Sequence, residues 1–109
     1  MDEKKPTVIV VALITAPAGE PARSLARGIV QNGLAACVNR IPAIESFFMW
    51  KDKLEVDTED LLIVKTDVDR VDNLKKHVSE AHPYDTPELI VFDITDGLPG
   101  YLKWVIETR

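Results

Sequence analysis

From Ile44 to Thr66 the chain reads IESFFMWKDKLEVDTEDLLIVKT, two strand-like segments around a turn at Asp52-Lys53, with an unbroken apolar run from Phe47 to Trp50 beside that turn. Successive side chains of a strand point to opposite faces, so such a run makes both faces of a hairpin tip apolar where a tip ordinarily meets water. The tip therefore needs a cover. The extended pattern also begins as early as Ala35 and continues to Lys51, a length of about 56 Å at ~3.3 Å per residue. A compact domain of this size is only roughly 35 Å across. The strand must bend, project or both. Pro42 has no amide hydrogen and marks the bend or bulge, leaving the segment beyond it free to reach another subunit. Self-association is the first functional expectation.

With 109 residues, 46% of them hydrophobic, the chain is sized for a single domain over residues 1–109 with its own core. Its net charge of −5 repels a polyanion, and the basic pairs Lys4-Lys5 and Lys75-Lys76 are small and mixed with acids. Nucleic acid is therefore not an expected partner. Cys37 is the only cysteine, which rules out an intrachain disulfide and a cysteine-rich zinc site and points to a reducing, cytoplasmic setting. The apolar run Val8 to Ile14 follows Asp2-Glu3-Lys4-Lys5, which carries no net positive charge, so it reads as a buried first strand rather than a signal-peptide core. No segment has membrane-spanning length.

Thr7 to Thr15 is β-branched and apolar throughout, as expected of a strand covered on both faces. Pro17-Ala18-Gly19 ends it. A helix follows, with Ala22, Leu25, Ala26, Ile29 and Val30 on its buried side, Pro21 near its start and Asn32-Gly33 as its stop signal. After the hairpin, Thr66 or Asp67 is placed to cap a second helix whose buried stripe is Val71, Leu74, Val78 and Ala81, and Pro83 closes it. Residues 87–94 read as a further strand and Pro99 to Thr108 as a short terminal helix. This order is α+β: a ferredoxin-like βαββαβ sandwich, with a four-stranded antiparallel sheet, a long β-hairpin and both main helices on one face. Segments as apolar as VIVVALI, LLIVKT and LIVFDI cannot leave the other sheet face in water, so subunits are expected to meet there.

The residues able to carry chemistry are few. Cys37 offers a soft thiolate but has no histidine near it in sequence, and the reading favoured for it is a small buried hydrophobe. His82 lies in AHPYDTPE, where Pro83 and Pro87 stiffen the loop and lower the entropy cost of fixing His82, Tyr84 and Glu88 around a ligand. Its structural reading is a helix C-cap. Lys65 and Glu59 share a strand face if no bulge intervenes, and Lys65 is expected to pair with a carboxylate, Glu88 being a candidate, ahead of the alternative that it meets an anionic ligand. The acids Glu55, Asp57, Glu59 and Asp60 read as a solvated strand face with weak capacity for cations. Trp50 and Trp104 read as packing anchors. Walker, GxGxxG, GxSxG and HExxH motifs are absent and His77 has no evident partner, so the chain does not read as an enzyme.

Taken together, ITAP at 14–17, LAACVNRIP at 34–42, WKDK at 50–53, LLIVKT at 61–66, HPYDTPELI at 82–90 and YLKW at 101–104 resemble the CutA family, named for divalent-cation tolerance. These stretches span nearly the full chain in family order. The resemblance implies a ferredoxin-like fold and a homotrimer locked by long hairpins, similar to PII signalling proteins. It also implies inter-subunit clefts, in which Cys37, Trp50, Glu59, Lys65, Tyr84 and Glu88 are the candidate ligand-binding residues and His82 the candidate metal ligand. The implied ligand is Cu(II) or another divalent cation. Ile14 and Ala81 stand where some bacterial relatives carry a cysteine and a second histidine. Neither coordinates metal, so copper must rest on His82 with backbone, carboxylates or Cys37, and bind weakly. The alternative function is an interaction module that presents a trimeric surface to a protein partner.

Overall fold

The structure, a computed structural model, describes residues 8–109. Thr7, Lys4-Lys5 and the charged stretch Asp2 to Lys5 lie outside the described residues. The elements follow in the order β1 (Ile9–Pro17), α1 (Glu20–Gln31), β2 (Cys37–Trp50), β3 (Lys53–Asp67), a 3₁₀ turn (Val68–Arg70), α2 (Val71–Ala81), β4 (Ile90–Asp93) and α3 (Pro99–Glu107). The four strands form one sheet in the order β2-β3-β1-β4, and every neighbouring pair is antiparallel. This is the expected ferredoxin-like arrangement.

Alternation explains which face is the core. Val10, Ala12, Ile14 and Ala16 of β1 are buried together with Leu62 and Val64 of β3. Ala12, Ile14, Ala16, Leu62 and Val64 pack against Ala22, Leu25 and Ile29 of α1 and Leu74 and Val78 of α2, the stripes that a helical period of 3.6 residues predicts. Val30 and Ala81, expected in those stripes, face solvent, because each lies at the margin of its helix's apolar sector. The stop signal of α1 works through its backbone. Gly33 takes the left-handed conformation at φ 68°, and the amides of Gly33 and Leu34 return to the carbonyls of Val30 and Ile29.

Several expectations need correction. The hairpin turns at Lys51-Asp52, both at positive φ, one residue earlier than Asp52-Lys53; two such central residues are what the twist of a tight hairpin demands. Neither Thr66 nor Asp67 caps a helix through its side chain, since the Thr66 hydroxyl donates to the Leu34 carbonyl and Asp67 accepts from Arg70 and Arg109. The last strand pairs only over Ile90–Asp93, against Val10 to Leu13, because Pro87 and its neighbours belong to the preceding loop. The sheet face opposite the two main helices is bare only in part: α3 lies across one end of it, with Val105 packed against Ile9 and Ala36.

The long hairpin does project. Between Ile41 and Ile44 the β2–β3 register shifts in a bulge at Pro42 and at Ala43, whose φ is 58°. Beyond it the arm leaves the body, giving extents of 57 × 26 × 26 Å. Pro42 marks the bend because a missing amide hydrogen is tolerated where the ladder is already interrupted.

Candidate functional site

The loop that follows α2 builds the site. His82 adopts an extended backbone, as the residue before a proline prefers, and its amide closes α2 by donating to the Val78 carbonyl. Its ring turns inward and is buried. Nε2 lies 2.7 Å from the Thr15 carbonyl oxygen, and Nδ1 accepts the Tyr84 amide at 3.1 Å. An amide can only donate and a carbonyl can only accept, so the proton sits on Nε2. The imidazole thereby welds the loop to the end of β1 and sets Tyr84, whose ring lies 4.7 Å away, centroid to centroid.

Tyr84 reaches across to β3, where its hydroxyl donates to Glu59 Oε2 at 2.9 Å. Burial, then the hydrogen bond and charge of Glu59 and the charge of Asp57, push the phenol up to about 12. It is therefore a neutral donor throughout the physiological range. Glu59 is 7% exposed. These groups border a cleft of about 760 Å³ between the projecting arm and the loop. Ser46, Phe48 and Trp50 of β2 stand opposite Asp57, Glu55 and Lys53 of β3, so alternation sends them all to the face that carries Glu59. Thr15, Asp85, Thr86 and Glu88 complete the wall on the other side.

The acids are not a uniform solvated face, contrary to the sequence reading. Glu55, Asp57 and Glu59 line the cleft, Glu59 from a buried position, and Asp60 is a structural anchor at the root of the arm. Asp60 Oδ2 accepts from the Gly19 amide at 2.9 Å and from Arg40 at 2.7 Å, while Oδ1 accepts the Ala43 amide at 2.8 Å. One carboxylate thus secures the bulge and the glycine that opens α1, where φ is 88°. Burial pushes the pKa of Asp60 up, but the two amides and the Arg40 guanidinium outweigh it and hold the carboxyl below the ordinary carboxylate value. A lowered folded value stabilises the protein above the unfolded-state value of about 3.9, and this stabilisation is lost as pH falls through the folded value. Asp60→Asn, which turns an amide N–H₂ toward existing donors, is expected to lower stability at pH 7 by roughly 2–3 kcal/mol. It should also flatten the acid limb of stability against pH. Urea unfolding from pH 7 to pH 2 checks both, and an unchanged acid limb would remove Asp60 as its source.

Of the seven sequence candidates, Trp50, Glu59, Tyr84 and Glu88 line one cleft within a single chain, and His82 stands behind Tyr84. Cys37 and Lys65 do not join them. They face each other across β2 and β3, and Lys65 is six residues along β3 from Glu59, about 20 Å. The expected Lys65–Glu88 pair is not formed. Lys65 makes no ion pair among the described residues, and its ammonium instead lies 5.8 Å from the Tyr101 ring centroid. Cys37 is partly exposed, with Sγ 3.8 Å from Asn39 Oδ1. The sequence reading missed Asp85 and Thr86 as lining residues and Asp60 and Arg70 as anchors; the only local signal for Asp60 was its place opposite the Pro42 bend.

The described residues of one chain do not fit a metal site. Among the described residues no group of three or more His, Cys, Asp and Glu side chains is arranged to hold an ion. Both nitrogens of His82 are engaged, so a metal there must displace a hydrogen bond. No helix among the described residues is long and apolar enough to cross a membrane.

Residues 10–108 match the family model described as CutA1 divalent ion tolerance protein. A Thermus thermophilus protein named divalent-cation tolerance protein CutA is 41% identical over 97 residues, 89% of this chain and 94% of that one. Protein CutA, chloroplastic, of Arabidopsis thaliana is 44% identical over 106 residues, 96% of this chain, and the chain spans only 58% of that relative's length. Among solved structures, a divalent cation tolerance protein from Thermus thermophilus superposes with a TM-score of 0.89 at 40% identity, covering 92% of this chain and 97% of that one. CutA1 from Oryza sativa superposes at 0.88 with 42% identity, covering 90% of each chain.

Proposed function

The chain belongs to the CutA1 divalent ion tolerance family, and from that premise we propose that it is a non-enzymatic homotrimer, a single domain over residues 1–109, whose cleft takes a divalent cation or a small ligand in metal tolerance or PII-like signalling. The observation that carries this reading is the projecting arm, which holds Phe47, Met49, Leu54 and Val56 in solvent and forms one wall of the cleft. An exposed apolar arm is an interface without its partner. A second copy of the same chain supplies one by symmetry, and assembly and ligand site then share an element. The matching family and the Thermus thermophilus relative are named for tolerance rather than for a reaction. A cytoplasmic location is proposed from the lone cysteine; relatives carry both chloroplastic and periplasmic names.

Copper is the cation to test and His82 the residue. Cu(II) at Nδ1 must displace the Tyr84 amide, so binding is expected to be weak but saturable in calorimetry of the assembled protein, and at least roughly tenfold weaker in His82→Ala. Equal binding by the variant removes His82 from the site. Absence of saturable uptake by the unaltered protein removes copper from the function. The alternative, a trimeric surface that recruits another protein, draws support from the solvent-facing Tyr101–Trp104 pair, whose ring centroids are 5.6 Å apart.

A further inference from the structure

Resting on the reading of this cleft as a ligand site, we propose that its ligand is an organic cation, an ammonium, amidinium or guanidinium group carried on an apolar body. The cleft wall holds five carboxylates, Glu55, Asp57, Glu59, Asp85 and Glu88, and among the described residues no Lys, Arg or His lines it. An anion is repelled there at close range. Glu59 narrows the choice. It is more than nine-tenths buried. Tyr84 satisfies Oε2, while Oε1 receives no hydrogen bond among the described residues. A largely desolvated carboxylate with an open acceptor calls for a donor that also brings positive charge.

Size and surface chemistry separate an organic cation from a metal ion. A volume of about 760 Å³ is that of a small-molecule cleft and far exceeds one ion with its coordination shell. The carboxylates are not gathered around a point, and Phe48, Trp50 and Tyr84 offer a metal no ligand except a phenol that stays protonated. Those same rings present negative π faces, which attract an organic cation while packing against its apolar part. A neutral ligand uses the rings and leaves Glu59 without a counter-charge. Only a cation with an apolar body answers both halves of the wall.

Benzamidinium and its neutral counterpart benzamide test this, since they share a shape and differ in charge. With the whole protein in its native assembly, calorimetry and tryptophan fluorescence are expected to show saturable benzamidinium binding and at least tenfold weaker binding of benzamide. Glu59→Gln keeps a carbonyl acceptor for Tyr84 and should weaken benzamidinium at least tenfold. Glu107→Gln, at the solvent-exposed end of α3, should leave it unchanged. Equal binding of the two probes, no binding at about 10 mM, or an unaffected Glu59→Gln overturns the inference. Benzamidinium binding that appears only on dissociating the assembly also overturns it, because a neighbouring copy's side chain then fills the cleft. Cu(II) titrated into the same sample keeps this test separate from the proposed function. Copper uptake without benzamidinium binding sinks the organic cation alone, and benzamidinium binding without copper uptake removes the metal and leaves the cleft assignment standing.

Discussion

Replacing Met49 and Leu54 together by aspartate is expected to convert the assembled protein into free chains of 12.2 kDa, with self-association weakened at least hundredfold. The two residues face each other across the hairpin and are 64% and 67% exposed. Phe47 and Val56, the next pair on the same hairpin face, are also in solvent. None of the four belongs to the core clusters of the chain, so their apolarity adds nothing to the core of the subunit. Buried between copies, each Met or Leu side chain contributes about 1.5–3 kcal/mol. Two aspartates set opposite each other remove that contribution, repel across the strands and resist desolvation. Light scattering after size exclusion should move from three times the chain mass to one, with circular dichroism unchanged. A variant that stays trimeric at about 10 μM shows that the arm is not the clamp.

Arg70→Ala is expected to cost about 3–5 kcal/mol, the range for uncovering a buried charge. The guanidinium is buried and joins three elements. Nε donates to Asp67 at 2.8 Å, Nη2 to the Val105 carbonyl at 2.6 Å and Nη1 to the Thr108 carbonyl at 2.7 Å. It therefore closes the carbonyl end of α3 while neutralising Asp67, whose Oδ1 has no partner among the described residues. Without Arg70, Asp67 keeps only the half-exposed Arg109 at 3.1 Å. The last turn of α3 then loses two donor contacts to its carbonyls, loosening Val105 from Ile9 and Ala36. At ~4–8 °C per kcal/mol for a domain of this size, the melting temperature should fall by about 12–40 °C at equal protein concentration, the comparison that association requires. Arg70→Lys should recover only part of this, since an ammonium cannot span the same fork. A loss under about 1 kcal/mol for Arg70→Ala means that Arg109 alone suffices for Asp67.

The legible parts of this protein are those written in local pattern. Ala22, Leu25 and Ile29 announce α1 through their spacing, and Pro42 announces the bulge because a residue without an amide hydrogen cannot sit in an intact ladder. Phe47 to Trp50 announce an apolar arm that projects from the body. The acids were opaque. Asp57, Glu59 and Asp60 are near neighbours in sequence, yet two line the cleft, one of them buried against Tyr84, and the third anchors the bulge. Lys65 looked like a partner for Glu88 because both stand near apolar strands, and the register sets them apart. The position of α3 was illegible too, since its packing depends on Arg70, a residue with no local signature of burial.

Element order, strand and helix periods and the unbalanced apolar arm are properties of neighbouring residues, and the sequence alone determines them because side-chain direction repeats about every 2 or 3.6 residues. The cleft is a different kind of object. Glu59 and Tyr84 are 25 residues apart and meet at 2.9 Å, and His82 contacts Thr15 across 67 positions. Only the tertiary structure brings them together, because burial and charge environment arise from how the elements pack, and the local pattern of a strand or loop does not carry that information.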